Sequence, residues 1–292
     1  MILSSRSSLY SLLLLINFLA GLYAQITVVD DLGRTVTLHS QARRIISLAP
    51  SITETLYAIG AGSQIVGVTD YCNYPEEAKT RTHVGGIINP SIETIISLEP
   101  DLIIVSMEGN VREDFNRLTS FGIPVFVTNP RTLTGIYRSI EQLGILTGRN
   151  GEATRLLKAM AARVDSIPAK TAGKKMRTIL FISLQPLIVV GKNTFLNELL
   201  QTAGAYNLAA SGPATYPTYS REALAADDPE VIIVMSDLLA DTSALLKLFP
   251  EWARLSAVRN HKIFRIDADI VSRPGPRAVD GLDSLFHILH TP

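Results

Sequence analysis

Short apolar runs recur along the chain, separated by segments whose apolar positions follow a helical period. Ile26 to Val29 and Thr35 to Leu38 flank Asp30-Asp31-Leu32-Gly33, which predicts a hairpin with Gly33 free to take positive φ. Arg43 to Leu48 reads as a buried strand, followed by a turn at Ala49-Pro50-Ser51. A helix then runs from Thr53 to Ile59 and stops at Gly60. Ile65 to Val68 is a second strand, and Tyr71 to Pro75 a loop. Ser91 caps a helix from Ile92 to Leu98, which Pro100 ends, and Leu102 to Val105 is a third strand. A helix over 112–121 and a strand from Pro124 to Val127 follow. Strands alternating with helices at this spacing imply α/β architecture, a parallel sheet covered on both faces.

After a helix over 133–146, Gly148-Arg149-Asn150 interrupts the chain. Ala153, Leu156, Leu157, Met160, Ala161 and Val164 then form one helical stripe that Pro168 ends. A helix of about 17 residues is roughly 26 Å long. Two readings of it stand: a rigid strut between two lobes, or an ordinary packing helix of one lobe. Ala169 to Lys175 is a polar break, and the pattern restarts. Thr178 to Ile182 is a strand, Leu187 to Val190 a second apolar run, and Thr194 to Ala203 a helix ended by Gly204. A loop over 211–219 precedes a helix at 221–226 and a strand at 231–235. Residues 243–257 are helical in part, Lys262 to Ile266 is the last strand, and 267–277 is a loop leading to a helix from Ala278 to Leu289.

One stretch occurs twice: SIETIISLEPDLIIV from Ser91 and SREALAADDPEVIIV from Ser220. Glu93 matches Glu222, and Pro100 matches Pro229. Upstream, Glu54, Leu56, Gly60 and Ala61 match Glu198, Leu200, Gly204 and Ala205. Two segments repeating in the same order imply two similar halves. The expected organisation is a first lobe over 25–149, a linking helix over 150–168 and a second lobe over 169–292.

Composition narrows the function. The chain has 292 residues, 47% of them apolar, enough for two lobes. Formal net charge is zero, which gives no reason to expect nucleic acid or an anionic membrane as partner. Arg6 precedes an apolar run from Leu9 to Leu22 that closes at Tyr23-Ala24. It reads as a cleaved signal peptide over 1–24; an uncleaved anchor is the alternative. The single cysteine, Cys72, allows no internal disulfide and is too far from Ala24 to be a lipidated first residue. The expectation is an exported protein without a lipid anchor, held in a periplasm.

Five motifs occur in order: RRIISLAPSITETLYAIGAG at 43–62, VGVTDYCNYPEEA at 66–78, IETIISLEPDLIIV at 92–105, SREALAADDPEVIIV at 220–234 and EWARLSAVRNHKIFRID at 251–267. With them the chain resembles the class III periplasmic substrate-binding proteins of ABC importers, the receptors for cobalamin, haem and iron–siderophore complexes. His261 stands where relatives usually carry glycine. The resemblance implies two Rossmann-like α/β lobes with parallel sheets, joined by one long backbone helix, with the ligand in the cleft between them. It implies a monomeric, non-catalytic receptor with no cofactor, whose partner is a dimeric ABC permease with ATPase subunits.

LAPSITE and YCNYP are most similar to the cobalamin-binding branch; haem, a ferric siderophore and another corrinoid such as cobinamide are the alternatives. By that resemblance Tyr71 and Tyr216 supply aromatic faces for the corrin, and Ala268, Asp269, Ile270, Val271 and Ser272 a ligand-contacting loop. Strands of such a sheet deliver their C-terminal loops, Ala49 to Ser51, Thr69 to Tyr74 and Ala268 to Arg273, to the cleft, which adds Ser51, Tyr74 and Arg273. Each has a plainer reading: the tyrosines as loop packing, Arg273 and Arg277 as carboxylate partners, Cys72 as a small buried residue rather than a metal ligand. The chain is poor in tryptophan; Gly85-Gly86-Ile87 and Ile270 stand where a cobalamin receptor can carry one. Glu93 and Glu222 each follow a serine by two residues in a helix's first turn. A helix dipole explains each singly; the resemblance implies that the pair docks on arginines of the permease. The five histidines show no convergent metal-ligand spacing, and G-x-S-x-G, H-E-x-x-H and phosphate-loop motifs are missing, so an enzyme on a two-lobed scaffold is the weaker alternative.

Overall fold

The computed structural model describes residues 25–107, 109–110, 112–167 and 175–290. The expected signal segment 1–24 and the helix-ending Pro168 lie outside the described residues.

Strands β1 (Ile26–Val29) and β2 (Thr35–Leu38) form the antiparallel hairpin, with Gly33 at φ 75°. The buried Asp30 carboxylate organises its turn, accepting from the backbone N–H of Leu32 at 3.0 Å and of Arg34 at 2.9 Å. The first lobe follows: β3 (Ile45–Ser47), α1 (Pro50–Ala58), β4 (Ile65–Val68), β5 (Thr82–His83), α2 (Ile92–Ser97), β6 (Leu102–Ser106), α3 (Arg112–Ser120), β7 (Val125–Thr128) and α4 (Leu133–Thr147). Its sheet has the order β5-β4-β3-β6-β7, parallel throughout. Helix α5 (Asn150–Asp165) leads to the second lobe: β8 (Met176–Leu184), β9 (Leu187–Val189), α6 (Phe195–Thr202), β10 (Ala205–Asn207), α7 (Arg221–Asp227), β11 (Val231–Met235), α8 (Ser243–Leu248), α9 (Ser256–Arg259), β12 (Ile263–Ile266), α10 (Ala268–Ser272) and α11 (Ala278–His290). Here β10-β8-β11-β12 run parallel, and β9 adds an antiparallel hairpin to β8.

The two lobes repeat one plan. β4-β3-β6-β7 corresponds to β10-β8-β11-β12, α1 to α6, α2 to α7 and α4 to α11. Even the strained turn is duplicated: Glu99 (φ 46°) and Asp228 (φ 36°) both take left-handed backbone just before Pro100 and Pro229. Beyond each proline an acid receives an arginine's backbone N–H at the start of the lobe's first strand. Asp101 takes those of Arg43 at 2.8 Å and Arg44 at 3.0 Å, and Glu230 takes that of Arg177 at 2.9 Å.

Strand residues alternate between two cores, as the pleat requires. In the first sheet Ile46, Ile103 and Val105 face a cluster of their own, and in the second Phe181, Ile232 and Val234 do the same around Trp252. The opposite faces, with Ile45, Ile104, Leu180 and Ile233, join one apolar cluster shared by both lobes. Helices α1, α4, α6 and α11 line that cluster, each with a buried apolar stripe. Helix α5 packs on α4 of the first lobe and α11 of the second. Its Arg163 pairs with Asp280 at 2.7 Å and also with Asp283. It is therefore seated along its length on both lobes.

Two expected loops are helical. The turn at Ala49-Pro50-Ser51 is the entry to α1, with Pro50 at its first position, where its missing N–H costs nothing. The expected loop over 267–277 contains α10, because the Asp267 carboxylate caps the N–H groups of Asp269 and Ile270.

Phe181 is fully buried and stacks on Trp252 with ring centroids 5.6 Å apart. Phe181→Ala should destabilise the second lobe by about 3–5 kcal/mol. Urea unfolding followed by circular dichroism checks this, with the transition midpoint expected to fall.

Candidate ligand-binding cleft

The C-terminal ends of parallel strands carry the loops that face a crevice. Three such ends converge in the first lobe: Ala49, Pro50 and Ser51 after β3, Tyr71 after β4, and Ser106 and Gly109 at and beyond the end of β6. Ile87 adds an apolar wall, and Ser272, Arg273 and Pro274 close the far side from the second lobe. Together they line a cavity of about 270 Å³ between the lobes.

Ser51, Tyr71, Ser272 and Arg273 of the expected site are thus brought together. Tyr71 is the most exposed of the three candidate aromatics, at 60%. Its ring passes Gly86, where a Cβ would stand 4.0 Å from it. Tyr74 is offset from the cavity, its ring beneath the Arg277 guanidinium at 4.2 Å. Tyr216 stands apart, on a loop that packs against β9 through the hydrogen bonds from Gly191 N–H to Thr215 O at 2.8 Å and from Val189 N–H to Pro217 O at 3.1 Å.

The expected ligand loop needs correction. Val271 is fully buried in the shared core, so it cannot reach a ligand. Ala268 packs on the same core, and Ile270 lies against Gly281, where a Cβ would meet its Cγ2 at 3.5 Å. Helical winding turns these apolar residues inward. Asp269, Ser272 and Arg273 remain at the cleft side. Ile87, Ser106, Gly109 and Pro274 line the cavity but are not among the residues expected from the sequence to bind ligand. Ser106 was findable by the same strand-end rule, since it closes β6; Ile87 was marked only as one of three residues standing where a cobalamin receptor can carry tryptophan.

The strongest electrostatic feature lies at the cavity's edge. Glu54, buried on α1, accepts from Arg277 through both oxygens, Nε to Oε2 at 2.8 Å and Nη2 to Oε1 at 2.6 Å. Arg273 Nη1 adds a third contact to Oε1 at 2.8 Å. Arg273 also pairs with Asp269 at 2.6 Å and donates to the side-chain amide oxygen of Asn73, Oδ1, at 2.7 Å. Asn73 in turn donates to Asp269 at 2.9 Å. Two cations meet two carboxylates, so the network is formally neutral, and it crosses from the first lobe to the second.

Cys72 is buried between Thr53 Oγ1 at 3.1 Å and Thr69 Oγ1 at 3.2 Å, outside the cavity lining. Burial pushes its thiol up, outweighing the two threonine hydrogen bonds. Among the described residues no three histidine, cysteine or acidic side chains are placed so that they could hold a metal ion. Glu93 and Glu222 lie exposed in the first turns of α2 and α7, after the capping hydroxyls of Ser91 and Ser220. Its own backbone N–H, and then the Ser220 hydroxyl, hold the Glu222 carboxyl below the usual range.

Residues 45–270 match the model of the periplasmic binding protein family, and the chain belongs to that family. An uncharacterized ABC transporter substrate-binding lipoprotein of Bacillus subtilis, YvrC, is 32% identical over 274 residues, covering 91% of this chain and 85% of that protein. The crystal structure of the periplasmic vitamin B12 binding protein BtuF of Vibrio cholerae superposes with a TM-score of 0.75 at 29% identity, covering 85% of this chain and 96% of that one. A periplasmic haem binding protein from Pseudomonas aeruginosa superposes at 0.76 with 28% identity, covering 85% and 93%. The family is one of solute-binding proteins, as the five motifs implied.

Because the Cys72 thiol is buried and raised, it should resist Ellman's reagent in the native protein near its ordinary pKa of about 8.5. One equivalent should appear only on denaturation; a fast native reaction would mean that the pocket opens there.

Proposed function

We propose that the protein is a periplasmic receptor that captures cobalamin or a related corrinoid and delivers it to an ABC importer. The observation that carries the choice of ligand is the neutral network around Glu54. A receptor for haem propionates or an anionic siderophore wants free cations at its cleft. Here Arg273 and Arg277 are already held by Glu54 and Asp269. A corrin is a broad apolar plate edged with neutral amides, and it asks for aromatic faces and a few polar groups instead. Tyr71 and Ile87 supply apolar surface, and Ser51, Ser106 and Ser272 the hydroxyls. The cavity, at about 270 Å³, takes an edge of such a plate, and the exposed rings of Tyr71 and Tyr74 extend the surface outward.

The relatives include vitamin B12-binding and haem-binding proteins, which supports the corrinoid reading and its haem alternative alike. Tyr71 is what favours haem, since a phenolate is one of the groups that holds haem iron. The protein acts as a receptor rather than an enzyme, in keeping with its solute-binding family. Delivery uses Glu93 and Glu222, two exposed acids at equivalent places on the two lobes, meeting a twofold permease that carries ATPase subunits.

Calorimetric titration should show cyanocobalamin binding, with Tyr71→Ala weakening it about tenfold, or 1.4 kcal/mol. Heat with haemin or a ferric siderophore but none with cyanocobalamin would overturn the choice of ligand. For delivery, Glu93→Lys with Glu222→Lys should abolish uptake by a reconstituted importer while leaving the calorimetric affinity unchanged. Unimpaired uptake would refute the docking role.

A further inference from the structure

The duplication pairs a second set of acids, Glu54 on α1 with Glu198 on α6. Unlike Glu93 and Glu222, neither is exposed: Glu54 is buried and Glu198 half-buried. Both reach across the seam. Glu54, of the first lobe, holds Arg273 and Arg277 of the second, immediately before α11 begins at Ala278. Glu198, of the second lobe, accepts the backbone N–H of Leu133 at 2.6 Å, the first residue of α4 in the first lobe. Since α4 and α11 are equivalent, each glutamate stands on the first helix of its own lobe and grips the start of the last helix of the other.

The chemistry suits each contact. The first N–H groups of a helix have no partner within it. At α4 the Thr132 hydroxyl takes the N–H of Gly135 at 2.9 Å, and Glu198 takes that of Leu133. A carboxylate there also meets the positive end of a 15-residue helix. Before α11 the contact is made with side chains instead of backbone: the Arg277 guanidinium meets the Glu54 carboxylate in bidentate fashion. The seam beside Glu54 has little slack: a Cβ on Gly275 of the second lobe would stand 3.2 Å from the Ser51 carbonyl of α1.

We propose that Glu54 and Glu198 form a reciprocal pair of interlobe latches that sets the spacing of the cleft walls. Glu54 and Glu198 are then positioning residues that hold the Ser51–Tyr71 wall opposite the Ser272–Arg273 wall. This goes beyond the ligand assignment, and its test needs no ligand, so failure of one leaves the other standing.

The experiment is pulsed electron spin resonance on the ligand-free protein, with spin labels at Thr119→Cys on α3 and Lys247→Cys on α8, both exposed. Glu198→Ala and Glu54→Gln should each broaden or lengthen the interlobe distance distribution about twofold in width, and the double variant more. If Glu54→Gln does not fold, Arg277→Gln replaces it, since Arg273 still neutralises Glu54 there. Wild-type distributions in both folded single variants would overturn the proposal. A change in only one of them would overturn the reciprocal pairing. A near-ultraviolet spectrum like that of the unaltered protein separates lobe opening from a general loss of packing.

Discussion

A carboxylate buried at a seam is tolerable only when charge from the far side meets it, and Glu54 is such a carboxylate. It belongs to the first lobe, and both of its cationic partners belong to the second. The net stability of a buried ion pair is small, because desolvation offsets the Coulomb attraction. Leaving such a charge with no partner at all, however, costs about 3–5 kcal/mol. The consequence is geometric more than energetic. The relative placement of α1 and the segment before α11 is tied to satisfying this one group. The cavity beside it inherits that placement, and with it the opposition of Tyr71 and Ser51 to Ser272 and Arg273.

Apolar burial does the rest of the joining. Each sheet has one face on a core of its own and one on the cluster that both lobes share. The helices α1, α4, α6 and α11 fill the shared cluster, and α5 is seated across α4 and α11. A lobe turning about α5 as a free strut would expose that layer. Small changes of lobe angle, absorbed at polar contacts along the seam, are compatible with it; a wide hinge is not. The same duplication that built the layer also supplied acids to it, with Glu54 and Glu198 turned inward and Glu93 and Glu222 left outward.

Legibility in the sequence followed the range of the interaction. The hairpin around Gly33, the Ser91 cap and the alternation of strand and helix were all readable, since each depends on residues a few positions apart. So was the convergence of Ser51 and Tyr71, because strand ends in a parallel sheet point to one edge. The stretch from Ala268 to Arg273 was misread as a loop. The Asp267 side chain winds it into helix, and winding turns Val271 into the core. Arg273 and Arg277 are carboxylate partners, as their plainer reading has it, but the identity of the carboxylate was out of reach: Glu54 lies more than two hundred residues earlier in the chain.

By itself, then, the sequence determined the architecture, the internal repeat and the family. Apolar period, caps and turn residues act locally, and five ordered motifs leave little freedom for another fold. Tertiary structure alone decided which charges are spent and which walls face each other. Glu54 was visible only as one half of a repeat, with nothing nearby to mark it as a partner of Arg273 and Arg277. Glu198 was visible only as the other half of that repeat, yet from the first turn of α6 it serves α4 of the other lobe. Electrostatic neutrality at the cleft is a property of groups meeting across the seam, and only the folded chain brings them within hydrogen-bonding distance.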